Sequence, residues 1–282
     1  MSQPAAVLWK FIRLNWPRIV LGCASLIIFV AAWWLYSAYL HAEWPFEGRA
    51  PSGAAEFLPS PHKVVDAFFD SFVHKDPVSQ LFMASHMYAS LKRIFFGFVL
   101  AFILAVPLGL LMGRSRNADA FAKPLVEIFR PIPPLAWVPI FLIALKFFWG
   151  PIAIVFLGIF FPILLNVTFG AKSVEPVLID AARTLGAKKG RLFFKVVLPF
   201  TFPYMMTGIK LGLGVGWMCI VAAEMLGAVG GGVGYYIYNM AYQAGMYERM
   251  YAGMLVIGLL SVLTTGVAGI IERRVYRWMG MK

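Results

Sequence analysis

The sequence predicts an all-α membrane protein with six transmembrane helices, and three observations predict it. Of its 282 residues, 61% are hydrophobic and 13% charged, with mean hydropathy +0.77; soluble domains carry about 25% charged residues. Six apolar stretches, 19–40, 88–113, 124–148, 150–170, 203–226 and 250–271, each approach the ~20 residues that a helix needs to cross the hydrocarbon core. The positive charge, net +12 overall, is sorted along the chain. Lys10, Arg13 and Arg18 precede the first stretch, and Arg114, Arg116 and Lys123 follow the second. Lys172, Arg183, Lys188, Lys189, Arg191 and Lys195 follow the fourth, and Arg273, Arg274, Arg277 and Lys282 the sixth. These four segments alternate, so all can face one side, and the positive-inside rule makes that side cytoplasmic. The basic balance therefore reports topology, which excludes nucleic acid as the partner.

Taken in order, residues 1–18 are a cytoplasmic segment and 19–40 the first span. That span is too long for a secretory apolar region and has no small-x-small cleavage site, so it is expected to be retained. Segment 41–87 is an extracytoplasmic loop. Between 41 and 86 it carries six acids (Glu43, Glu47, Glu56, Asp66, Asp70, Asp76) against three basic residues. After Pro59 and Pro61, residues Val64, Val65, Phe68, Phe69 and Phe72 fall at helical spacing and predict a short interfacial helix. His41, His62, His74 and His86 have no metal-ligand spacing and are expected to be solvated or interfacial. Cys23 and Cys219 fall inside spans and suggest no disulfide.

Residues 88–271 form a five-helix core. Lys92 and Arg93 stand at the outer start of its first span, either snorkelling to the interface or attracting an anion. Prolines 124, 131, 133, 134 and 139 predict a broken or kinked third span, because each removes a backbone donor. Arg130, near its cytoplasmic end, has a structural or a gating reading. In the fifth span Gly208, Gly212 and Gly216 repeat every four residues, a face made for close helix packing. Glu224 lies at the outer end of that helix, where both a functional and a solvated reading stay open. The following GAVGGGVG, 227–234, bends back or forms a tight outer loop, and it lacks the Lys-Ser/Thr of a phosphate loop. A cytoplasmic tail, 272–282, closes the chain.

The loop 171–199 between the fourth and fifth spans is polar, basic and helical. Ser173 is a candidate N-cap and Gly186 a helix stop. Leu178, Ala181, Ala182 and Leu185 share one apolar stripe, with Asp180, Arg183 and Thr184 on the other side. A second short helix from Lys188 is expected to end before Pro199. The result is a helix–Gly–helix knob, suited to a groove in another protein or to anionic lipid headgroups.

Asp180-Ala181-Ala182, three residues, Gly186, nine residues, then Val196-x-Leu198-Pro199 resembles the "EAA" loop of ATP-binding-cassette importer permeases, with Asp for Glu and Val for Ile. RPIPPLAWVPI (130–140), FFPILLNV (160–167) and TGIKLGLGVGWMCIVAAEML (207–226) resemble the nitrate/sulfonate/taurine/bicarbonate permease subfamily, over about residues 58–275. The resemblance implies the type I, MetI-like permease fold with cytoplasmic coupling helices, in a prokaryotic plasma (inner) membrane. Asp180, Ala181, Ala182, Arg183, Gly186 and Lys188 would then dock on ATPase subunits that bind ATP and Mg, leaving this chain non-catalytic and without a cofactor. A second permease copy and an extracytoplasmic solute-binding protein complete the implied assembly. Candidate pathway or gate residues are Arg93, Arg130, Trp137, Asn166, Trp217 and Glu224. The implied cargo is nitrate, taurine, an alkanesulfonate or bicarbonate. The alternatives are a thiamine precursor or riboflavin in the same superfamily, an ion-coupled secondary transporter, or a membrane-embedded enzyme.

Overall fold

The computed structural model describes residues 3–41, 57–227 and 230–279. Glu43, Glu47 and Glu56 of the expected outer loop, and Lys282 of the tail, lie outside the described residues. Among the described residues the α-helices follow in order: α1 (Gln3–His41), α2 (Pro61–Val73), α3 (Met83–Arg114), α4 (Arg116–Phe129), α5 (Val138–Lys172), α6 (Pro176–Thr184), α7 (Lys189–Leu192), α8 (Leu198–Gly227), α9 (Val233–Tyr238) and α10 (Tyr247–Trp278). A 3₁₀ turn, Pro134–Trp137, precedes α5.

Glycines set the register of the core, because each lets a neighbouring helix approach until a side chain would not fit. A Cβ on Gly97 of α3 would stand 2.6 Å from Val155, one on Gly109 2.9 Å from Val167, and one on Gly113 2.3 Å from Ala171. Contact numbers rise together, so α3 and the later part of α5 run parallel over about 24 Å, at 1.5 Å per residue. Gly212 and Gly216 of α8 face Ile159, and Gly208 faces Asn166 and Ile163; those numbers run oppositely, so α8 is antiparallel to α5. The neighbour of this glycine face is thus α5 of the same chain. Trp217 Nε1 donates to Thr264 Oγ1 at 2.9 Å and Lys210 pairs with Glu272 at 2.8 Å, which places α10 antiparallel to α8. Ile159, Ile163, Leu164, Val167 and Ile220 are wholly buried where α3, α5 and α8 meet.

Parallel α3 and α5 require the chain to return along the whole length of α3 between them. The return is broken, as the prolines within 124–148 predict. It consists of amphipathic α4, the 3₁₀ turn and the first two turns of α5, and it reverses at Lys146 (φ 60, ψ −179). A Cβ on Gly150 would lie 3.2 Å from Leu142 Cα, whereas eight residues of unbroken helix span about 12 Å. Proline chemistry explains the break: Pro131, Pro133 and Pro134 have no N–H to donate, and the carbonyls they would have served cannot stay unpaired in lipid. Among the described residues, five helices are long and apolar enough to cross a membrane by length and composition, Val20–Leu40, Met83–Arg114, Pro134–Lys172, Lys189–Leu226 and Tyr247–Arg277, and the third of these joins part of the expected third span to the fourth across the reversal at Lys146.

The chain has two ends along the bundle axis. Arg114, Lys172 and the α6–α7 knob share the basic end, where Lys172 pairs with Asp119 of α4 at 2.6 Å. At the opposite end α2 packs on α10. It buries Val64, Ala67 and Ser71 and leaves Val65, Phe69 and Phe72 exposed, so its apolar surface runs beyond the packed face. Arg249 pairs there with Asp70. Helix α1 touches the rest through Trp33, which donates to the Pro59 carbonyl at 3.1 Å and packs on Tyr251, and through Ser37 on Leu58.

Candidate functional site

Two polar constructions stand out on this apolar frame, one at each end. At the basic end, the knob begins with Glu175 as N-cap and Pro176 at N1, not with Ser173, which is the C-cap of α5. Pro176 suits N1, whose N–H needs no helical partner. Ile179 is the buried anchor of α6, together with Leu192 of α7 and Val174. The expected stripe faces outward: Leu178 is 43% and Leu185 86% exposed, and Val177 is 74% exposed. Ala181 is exposed and Ala182 half-buried. Asp180 and Arg183 pair at 3.3 Å on the open surface, and Lys188 is exposed. Gly186 ends the helix at φ +77, with nothing within 4 Å of where a Cβ would be; L-residues with side chains pay for that conformation.

The second helix does not stop before Pro199. Helix α7 enters a π turn, Phe193–Val197, in which Leu198 N–H bonds to the Phe193 carbonyl, and α8 follows directly. The wider turn is an adjustment of the kind that lets a helix pass through a proline, which lacks an N–H and crowds the carbonyl four residues earlier. The knob is thereby continuous with a long core helix.

At the opposite end Arg93 and Glu224, 131 residues apart, form a buried ion pair at 2.7 Å. Ser90 Oγ donates to the same carboxylate (2.8 and 2.9 Å) and accepts from Val233 N–H at 2.9 Å. Gly234 N–H donates to Glu224 Oε2 at 3.0 Å, and Arg93 Nη1 donates to the Gly231 carbonyl at 2.7 Å. His86, fully buried, donates from Nε2 to Asp76 at 2.9 Å and sets Nδ1 against the backbone of Gly232. Asp76 also accepts from the Ser79 hydroxyl and from the amides of Val78 (2.7 Å) and Ser79 (2.6 Å). Burial alone would raise the Asp76 pKa; the bonds from Ser79, His86 and Val78 outweigh it and hold the carboxyl below its ordinary value.

His86 is therefore neither solvated nor interfacial. Arg93 is buried and paired rather than reaching outward; Lys92 beside it is exposed, lying 5.5 Å over the Phe148 ring. The sequence reading did not single out Ser90 or link His86 to Arg93. The signal was there: His86, Ser90 and Arg93 fall at i, i+4 and i+7 on one face of an apolar helix.

The remaining candidates are scattered. Arg130 is exposed at the C-cap of α4. Trp137 stacks on Phe141 (5.9 Å, 20°) in an apolar groove with Phe129 and Phe160. Asn166 bonds to the Pro162 carbonyl of its own helix at 2.8 Å. Trp217, 2% exposed, is core.

Residues 105–277 match the family described as binding-protein-dependent transport system inner membrane component. A Methanocaldococcus jannaschii protein described as an ABC transporter permease is 43% identical over 196 residues, 68% of this chain and 72% of its own. The taurine transport system permease protein of Escherichia coli is 30% identical across 95% of this chain and 94% of its own. A nitrate import permease protein of Synechocystis is 32% identical across 75% and 78%. Among solved structures, a chain of a bacterial alginate ABC transporter in complex with a periplasmic protein superposes with TM-score 0.60 at 16% identity, covering 95% of this chain and 98% of that one. A chain of an inward-facing methionine ABC transporter gives 0.58 at 21%, covering 67% and 93%.

Proposed function

Since the chain belongs to the family of binding-protein-dependent transport system inner membrane components, and is the non-catalytic permease component of an ABC importer, we propose that it forms the membrane pathway for a small anion of the nitrate, taurine, alkanesulfonate or bicarbonate class. The basic end is cytoplasmic, with both termini, and the opposite end faces out, in the plasma membrane of a prokaryote. Two copies enclose the pathway. ATPase subunits, which hold ATP and Mg, dock on Asp180, Ala181, Ala182, Arg183, Gly186 and Lys188, and a solute-binding protein delivers cargo outside.

The observation that carries this reading is the apolar stripe of α6, turned outward on a helix held by Ile179 and joined across the Gly186 turn to α7, which runs on into α8. An exposed apolar stripe beside charged residues marks a partner-binding surface rather than a connecting loop. A partner that moves the knob moves the long helix as a rigid body. Arg130, exposed at the C-cap of α4, remains a gate candidate, and Asn166 a lining candidate on the face toward α8.

The test is reconstitution in proteoliposomes with a partner ATPase and binding protein from the same organism. ATP-dependent uptake of labelled nitrate, taurine or bicarbonate is the expected result, with none from this chain alone. Uptake by the chain alone, driven by an ion gradient, overturns the importer mechanism. Uptake of riboflavin or a thiamine precursor in place of any anion overturns the cargo class only.

A further inference from the structure

We propose that Glu224 and Arg93 are positioning residues for coupling: they clamp the loop 230–234 to the outer ends of α3 and α8, so that displacement of the knob reaches the outer surface through one rigid rod. The proposal rests on the reading above for which end meets the ATPase.

The rod is the unbroken helical run Lys189–Leu226, 38 residues, about 57 Å at 1.5 Å per residue. Its inner end is half of the knob. Near its outer end stands Glu224. Four successive residues of the outer loop each give a backbone group to a buried side chain on the rod or on α3. The Gly231 carbonyl accepts from Arg93, Gly232 N–H donates to His86, Val233 N–H to Ser90, and Gly234 N–H to Glu224. Those four side chains are at most 4% exposed. The loop is seated without slack: a Cβ on Gly232 would come 2.4 Å from Glu224 Cδ, and one on Gly234 2.5 Å from the Val221 carbonyl. Helix α9 starts at the clamp and leads to Tyr242 (74% exposed) and Gln243, on the face offered to a binding protein.

Stability alone does not call for this arrangement. A buried ion pair costs desolvation that an apolar filling of equal volume avoids, whereas fixed geometry is what such a pair provides. Here the geometry fixed is that of the outer loop relative to the moving helix.

The experiment uses the complete complex in nanodiscs and the ratio of binding-protein-stimulated to basal ATPase. Gly232→Ala, which drives a methyl group into the Glu224 carboxylate, and Glu224→Gln are expected to lower that ratio at least about five-fold, the lower bound of ordinary allosteric coupling. Gly22→Ala, on α1 with nothing within 4 Å, keeps the wild-type ratio. Hydrogen exchange is read on the same samples. Amides 232–234 should exchange about ten-fold faster in the two clamp variants while α3 and α5 stay protected. Released loop amides with an unchanged ratio overturn the proposal, as do loop amides that stay protected. Wild type supplies a readout that no folding defect can confound: amides 232–234 and the outer turn of α8 must change protection together when ATP and vanadate are added. Independent responses overturn the clamp. A wild-type complex that binds no ATPase overturns the docking reading instead, and leaves the clamp to be judged by exchange alone.

Discussion

Arg93 and Glu224 destabilise the fold more when separated than when both are lost. Removing one partner leaves a buried, uncompensated charge, so Glu224→Ala or Arg93→Ala should each cost about 3–5 kcal/mol. The double change Arg93→Leu/Glu224→Leu should cost less than their sum, by about 0.5–3 kcal/mol of coupling. Thermal unfolding of the four proteins in one detergent checks the cycle, and strict additivity would show that the pair does not interact. Asp76 makes a separate prediction. Its carboxyl is held below its ordinary range in the folded state, so its contribution is complete above the unfolded value of about 3.9 and is lost as pH falls through the folded pKa. Asp76→Asn should therefore lower the melting temperature at pH 7 and flatten its fall between about pH 5 and pH 2. An Asn variant with the wild-type acid limb would place the acid sensitivity elsewhere.

Among the elements, α6 tests function and Gly113 tests packing. At Gly186 a side chain meets open space within this chain, so its whole intramolecular effect is the left-handed conformation, about 1–2 kcal/mol. Gly186→Leu should thus insert and fold nearly as the Gly186→Ala variant does. It should lose uptake about ten-fold more, a 1.4 kcal/mol defect at the docking surface. Equal uptake by both variants would remove the knob from the interface. Gly113→Val has the opposite signature: its side chain would collide with Ala171, pushing α3 from α5 and costing about 1–3 kcal/mol in melting measurements. Much of this was legible beforehand. Apolar length marks the spans, the proline cluster announces a break, and the glycine repeat on α8 announces a close neighbour. The Glu224 partnership was not legible, because residues 131 apart meet only once α3 and α8 are placed in register. Nor was the run of α7 into α8, since a π turn has no sequence period of its own and Pro199 reads as a stop.

At the scale of the molecule, the question is where the proposed anion would pass. The interior where α3, α5 and α8 meet is filled: Ile159, Ile163, Leu164, Val167 and Ile220 are wholly buried and Trp217 nearly so. Such packing leaves no room for a hydrated ion, and a dry apolar channel would charge it the full desolvation cost. Among the described residues, buried charge at the outer end is held within the clamp, with Arg93 against Glu224 and Asp76 against its hydrogen-bond donors Ser79, Val78 and His86. Under the proposed function, the route is expected on an outer face of this helix bundle, closed off from lipid by another subunit. The chain offers ample apolar surface for that subunit, including Phe169, Leu211 and Met218, which are 62%, 56% and 72% exposed on core helices. A two-fold pair is the simplest closed arrangement, since one face then serves both copies. Light scattering of the purified complex should accordingly give two permease copies. Single cysteines at Leu211 or Met218 on a cysteine-free background should lose reactivity toward a bilayer-soluble maleimide on assembly if their face is the buried one. A transporting complex that holds one copy of this chain would overturn the two-fold pair and assign that face to a different subunit.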